Sequence, residues 1–136
     1  MSAHVDQFGD SLRDRLNAIE ERIQIARHNI LILPEQGEKA MRQRLDEART
    51  GLQAQQQRVE RTMTNMQTRA QEKLAETREK VGEWKARREV RKLKTRADRA
   101  EAYAADVIDF AVVSIDQAEE AVLDAVLARH DADTAQ

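Results

Sequence analysis

Residues 104–127 read Ala104-Ala-Asp-Val-Ile-Asp-Phe-Ala-Val-Val-Ser-Ile-Asp-Gln-Ala-Glu-Glu-Ala-Val-Leu-Asp-Ala-Val-Leu127. Ala104, Ile108, Ala111, Ile115, Ala118, Val122 and Ala125 step by four and three, the spacing of one stripe on a helix. Val107, Phe110, Val112, Val113, Leu123, Val126 and Leu127 widen that stripe beyond a single seam. The run Val107–Ile115 is rich in β-branched residues, but its spacing and its alanine-rich flanks favour a helix over a strand. A helix that packs on one side needs an apolar arc of about 100°. This one presents more, so it is expected to touch at least two helices.

Working outward, the composition agrees with long helices. Ala, Glu, Lys, Leu and Arg make up 68 of 136 residues, with four Gly and one Pro. So few turn residues leave an all-β fold without its corners. Cysteine is absent, which excludes disulfides, thiolate metal sites and a thiol nucleophile. Aromatic residues, at 3 %, are too few to build stacking platforms for single-stranded nucleic acid. The beginning of the chain, Met1-Ser-Ala-His-Val-Asp-Gln-Phe8, has no basic segment followed by an apolar one, as a secretory signal would. Apolar runs such as Ile30–Leu33 fall far short of the roughly 20 residues that span a bilayer. A cytoplasmic protein is the expectation.

Two further segments precede this helix. Val5, Leu12, Ile19, Ala26 and Leu33 repeat every seven residues, with Gly9, Leu16, Ile23 and Ile30 as the companion row. This predicts helix A over about 4–32, ended by Pro34, because the residue before a proline is driven out of the helical region. Met41, Leu45, Ala48, Leu52, Val59, Met63, Met66 and Ala70 continue the pattern, followed by Leu74, Thr77, Val81, Trp84 and Arg88. This predicts helix B over about 36–94. Gln55, Gln56 and Gln57 mark a weakly packed middle, a hinge or a place where a partner helix completes the core. Helix C then covers about 97–130, with a tail at 131–136, although one continuous B–C helix is an open possibility. The whole chain, 1–136, is expected to form a single all-α domain: an elongated antiparallel coiled coil or bundle of two to three long helices. In that rod A folds over the first half of B and C over the second.

Charge is segregated along the chain. Residues 1–33 have net charge −1, residues 34–96 +7 and residues 97–136 −8. Arg78, Lys80, Lys85, Arg87, Arg88, Arg91, Lys92, Lys94 and Arg96 form a basic patch around Trp84. An antiparallel B–C pair sets this patch against Asp106, Asp109, Asp116, Glu119, Glu120 and Asp124. Such exposed pairs choose partner and orientation rather than supply stability.

Catalytic, cofactor and metal sites find little support. His4, His28 and His130 fit no HExxH or Glu-x-x-His pattern. Asp106 with Asp109, and Asp116 with Glu119, read as solvated carboxylates rather than an acid–base pair. No GxxxxGK[ST], GxGxxG or GxSxG stretch occurs, so no catalytic, cofactor-binding or metal-binding residue is assigned. The sequence therefore points to a non-enzymatic structural or adaptor protein that forms homo-oligomers and meets other proteins. Its expected interface is Val107, Ile108, Ala111, Val112, Ile115, Ala118, Val122 and Val126. Two other readings stand behind it. One is a nucleic-acid-binding protein that uses 78–96, and the other an amphipathic coat for a membrane surface or hydrophobic granule.

Overall fold

A computed structural model describes residues 3–135; the last residue of the expected 131–136 tail, and Met1 and Ser2, lie outside it. Among the described residues the chain is all-α, with no strand. It forms α1 (Ala3–Gln36), α2 (Glu38–Ala75), α3 (Arg78–Ala86) and α4 (Val90–Thr134).

Helix α1 runs through Pro34 rather than stopping before it. The missing N–H costs a single hydrogen bond in the last turn, and Leu33 in that turn packs on the core beside it. The reversal falls at Gly37, whose φ of 105° lies in the region open to a residue without Cβ. Its carbonyl accepts from Met41 N–H (3.3 Å) and so opens α2.

The expected helix B breaks twice. Helix α2 ends at Ala75, and Thr77 caps α3, its Oγ1 accepting from Lys80 N–H (3.2 Å). Thr77 is thus a cap and not a seam residue. After Ala86 the chain turns back at 87–89. Arg88 N–H donates to Lys85 O and Glu89 N–H to Trp84 O, the bond pair of a Schellman ending. Arg88 sits at φ 53°, the left-handed position where glycine is usual. Helix α4 therefore begins at Val90, seven residues before the expected start of C, and continues to Thr134, through most of the expected tail. Helices B and C are separate.

The packing also departs from the expected rod. Arg15 meets Asp109 and Arg22 meets Asp116, the same offset of 94 residues, so α1 and α4 run parallel. Helix α2 is antiparallel to both, as Arg42–Asp131, Arg49–Glu120 and Arg69–Asp106 show. Helices α1 and α4 lie side by side against α2 instead of meeting end to end over its middle. The wide apolar face of α4 is the cause, since it is satisfied by both neighbours at once. The tightest core, Met41, Leu45, Leu123 and Leu127 with Leu33 and Val126 packed on it, lies beside the Gly37 turn.

Candidate functional site

Glu119, about two-thirds of the way along α4, is fully buried, not solvated as its acidic surroundings suggest. Arg44 of α2 donates from Nε to Oε1 (2.7 Å) and from Nη2 to Oε2 (2.9 Å). Asn29 of α1 donates to Oε1 (2.7 Å), and Arg22 of α1 donates from Nη2 to Oε2. Arg22 also donates from Nε to Asp116 (2.5 Å). One carboxylate thus ties all three long helices together. Burial by itself would raise its pKa. The hydrogen bonds from Arg44, Arg22 and Asn29, and the charge of Arg22, outweigh burial and hold it at about 2. Both arginines are likewise held protonated: in Arg22 burial opposes but Glu119 and Asp116 prevail, and in Arg44 the hydrogen bond to Glu119 leads. A carboxylate locked in its charged form cannot give up a proton near neutral pH. The arrangement fixes register.

Five further acids of α4 are matched in the same way. Asp106 pairs with Arg69, Asp109 with Arg15, Glu120 and Asp124 with Arg49, and Asp131 with Arg42. His130 lies 3.3 Å from Glu38. The partners of the acidic helix are therefore arginines of α1 and α2, not the basic patch. This corrects the expected pairing of 78–96 with Asp106 to Asp124. The reason is topological: residues 90–96 belong to α4 itself, and α3 is a short helix packed on the start of α4.

The basic patch is left exposed. Lys92 meets Glu89 (3.4 Å), Arg96 meets Glu76 (3.8 Å) and Lys80 reaches Ala75 O (3.5 Å). Among the described residues Arg78, Lys85, Arg87, Arg88, Arg91 and Lys94 make no ion pair. Trp84 and Val81 are half-buried on α3.

The residues expected to form the oligomer interface divide into two sets. Ile108 lines a groove with Phe8, Leu12 and Arg15 of α1, and Val126 packs on the core. Ala111, Val112 and Ile115 are half-buried, while Val107, Ala118 and Val122 are exposed.

A second groove, lined by Arg69, Glu72, Lys73, Glu76, Arg96, Arg99 and Tyr103, lies between the end of α2 and the start of α4. Its carboxylates are held by Arg96 and Arg99, and Lys73 Nζ stands 5.6 Å from the centre of the Tyr103 ring. Among the described residues no group of three His, Asp or Glu side chains converges as a metal site. No helix among them is long and apolar enough to cross a membrane.

The signal for the α1–α4 ladder was present in the sequence. Arg15 and Arg22 are seven apart, as are Asp109 and Asp116. Glu119 gave no such signal, because its partners come from two helices with different offsets. No family model, curated protein or solved structure matches this chain.

Proposed function

We propose that this is a non-enzymatic structural or adaptor protein, a three-helix rod with coiled-coil-like seams that self-associates through the face of α1 and α4 turned away from α2. The observation that carries the reading is where uncharged side chains remain exposed. On α1, Ile25 and Asn29 line a groove with Arg44, Ala48 and Leu52 of α2. Ile23, two residues from Ile25, is about 200° around the helix from it, and Leu16 is one heptad earlier. On α4, Glu120 and Asp124 bond Arg49 of α2. Ala118 and Val122 each precede one of them by two residues and so lie on the far side; Val107 shares their face. Leu16, Ile23, Val107, Ala118 and Val122 are all exposed.

In a chain with 35 % charged residues, the α4 strip Ala104, Val107, Ala111, Ser114, Ala118, Val122 and Ala125 carries none. The strip spans about 32 Å of helix. Two helices wide, it offers on the order of 600 Å² per copy, near the lower bound for a specific dimer. A second copy related by a twofold axis brings the same face onto itself. Light scattering on a sizing column tests the proposal. The wild type is expected as a dimer or larger, and the Val107→Glu, Val122→Glu double variant as a folded monomer. A monomeric wild type at tens of micromolar overturns it.

A further inference from the structure

We propose that the end of the rod formed by the α3–α4 turn docks on an anionic lipid bilayer. Residue n of α1 lies beside residue n + 94 of α4, so Ala3 reaches only to about residue 97. Glu76, just after α2, bonds Arg96 and Arg99. The first turns of α4 and the whole of α3 therefore project past the three-helix body. The 87–89 turn stands about 9 Å beyond Arg96 at the helical rise.

This end is strongly basic. Residues 85–94 contain Lys85, Arg87, Arg88, Arg91, Lys92 and Lys94 against the single acid Glu89, which Lys92 engages. Glu79 and Glu83 lie earlier on α3. Asp106, Asp109, Asp116, Glu120 and Asp124 of α4 are committed to arginines of α1 and α2, which leaves Asp98 and Glu101 as the acids of α4 nearest to these cations.

A further observation favours lipid over the phosphates of a nucleic acid. Leu74 and Val90, at 82 % and 69 %, are the most exposed large apolar side chains among the described residues; Val90 lies within this stretch and Leu74 at the end of α2, where the chain leads into α3. Exposed apolar groups beside cations suit the boundary between headgroups and acyl chains, where both kinds of group find a partner.

Each Lys or Arg brought to an anionic surface strengthens binding by about fivefold. The experiment is co-sedimentation of the full chain with vesicles of phosphatidylcholine alone, or mixed with phosphatidylglycerol, at physiological salt. Fluorescence of Trp84, the single tryptophan, reports from α3 itself. The wild type is expected to bind the mixed vesicles only, with Trp84 emission shifted to the blue. The Arg87→Glu, Arg88→Glu, Arg91→Glu variant is expected to lose at least 100-fold in affinity. Leu74→Ser with Val90→Ser is expected to lose several-fold while keeping its charge. All five side chains are exposed, and circular dichroism and light scattering establish that both variants keep the wild-type fold and mass. Absence of binding to mixed vesicles overturns the proposal. So does binding that the arginine reversal leaves unchanged. Tight binding to duplex DNA with none to vesicles overturns it in favour of a nucleic-acid ligand. The α1–α4 face is untouched by these variants, so self-association and lipid binding fail or succeed separately.

Discussion

Arg44 of α2 grips Glu119 of α4 with two parallel hydrogen bonds, Nε to Oε1 at 2.7 Å and Nη2 to Oε2 at 2.9 Å. A planar guanidinium facing a carboxylate in this way fixes both distance and orientation, which an ammonium on a flexible stem does not. Glu119 is fully buried, and Arg22 and Asn29 of α1 complete its shell. Its truncation to alanine would leave two cationic side chains facing a void. Breaking a buried pair from one side costs about 3 kcal/mol or more. Glu119→Ala is expected to lose that much in urea unfolding, and Arg44→Lys a smaller part of it. A loss below about 1 kcal/mol for Glu119→Ala would show that the node does not hold the helices together.

The same node sets the acid response. Glu119 has a folded pKa of about 2, below its ordinary value of 4.5. A carboxylate whose pKa falls on folding contributes stability that is complete above its unfolded pKa and drains away as pH falls toward the folded one. Unfolding free energy is therefore expected to decline between about pH 4.5 and 2. Glu119→Gln carries no such titration, so its stability should be lower at pH 7 and flatter across that window. Parallel slopes for the two proteins in thermal melts would place the acid sensitivity elsewhere.

The two reversals differ in how well their residues suit them. Gly37 and Arg88 both adopt positive φ. At the left-handed φ of Arg88 an L-residue costs roughly 1–2 kcal/mol, whereas Gly37, with ψ 171°, lies in a region essentially reserved for glycine, where a Cβ costs about 1–3 kcal/mol. Gly37→Ala meets no neighbouring atom within 4 Å, so its cost should come from the backbone alone, about 1–3 kcal/mol. Arg88→Gly removes the left-handed strain from the α3–α4 turn and should stabilise by up to about 1 kcal/mol. Equilibrium unfolding of the two variants checks both signs. Destabilisation by Arg88→Gly would mean that its side chain contributes to the fold.

How far the fold could be read depended on what each residue's neighbours were doing. The seven-residue rows of helix A and the broad stripe of helix C stand out because apolar side chains face a core throughout their length. Pro34 does not stop the helix as the local rule predicts, because Leu33, packed on the core, holds the turn that contains it. Thr77 falls at seam spacing, yet a threonine before a run of good helix formers is also a cap. Arg88 gave no turn signal at all, since left-handed arginine is set by tertiary context. The side-by-side placement of α1 and α4 depended on matching two ladders 94 residues apart. Net charge by segment hides that match, because it averages over the individual positions of Arg15, Arg22, Arg42, Arg44, Arg49 and Arg69.

Ile115 and Val122 separate internal packing from contact between copies. They are one heptad apart on α4, yet Ile115 is half-buried and Val122 is exposed. Ile115→Asp places a carboxylate where part of it loses water without a partner, a cost of about 2 kcal/mol. It is expected to lower the melting temperature at any protein concentration. Val122→Asp keeps its charge hydrated in the isolated chain and loses that hydration only when a second copy covers it. At low concentration it should melt like the wild type; at high concentration it should show a smaller mass and lose the concentration-dependent rise in melting temperature that self-association confers. Light scattering together with melts across a dilution series reads both quantities. A Val122→Asp protein with wild-type mass would remove α4 from the interface, even if the chain still forms dimers through another face.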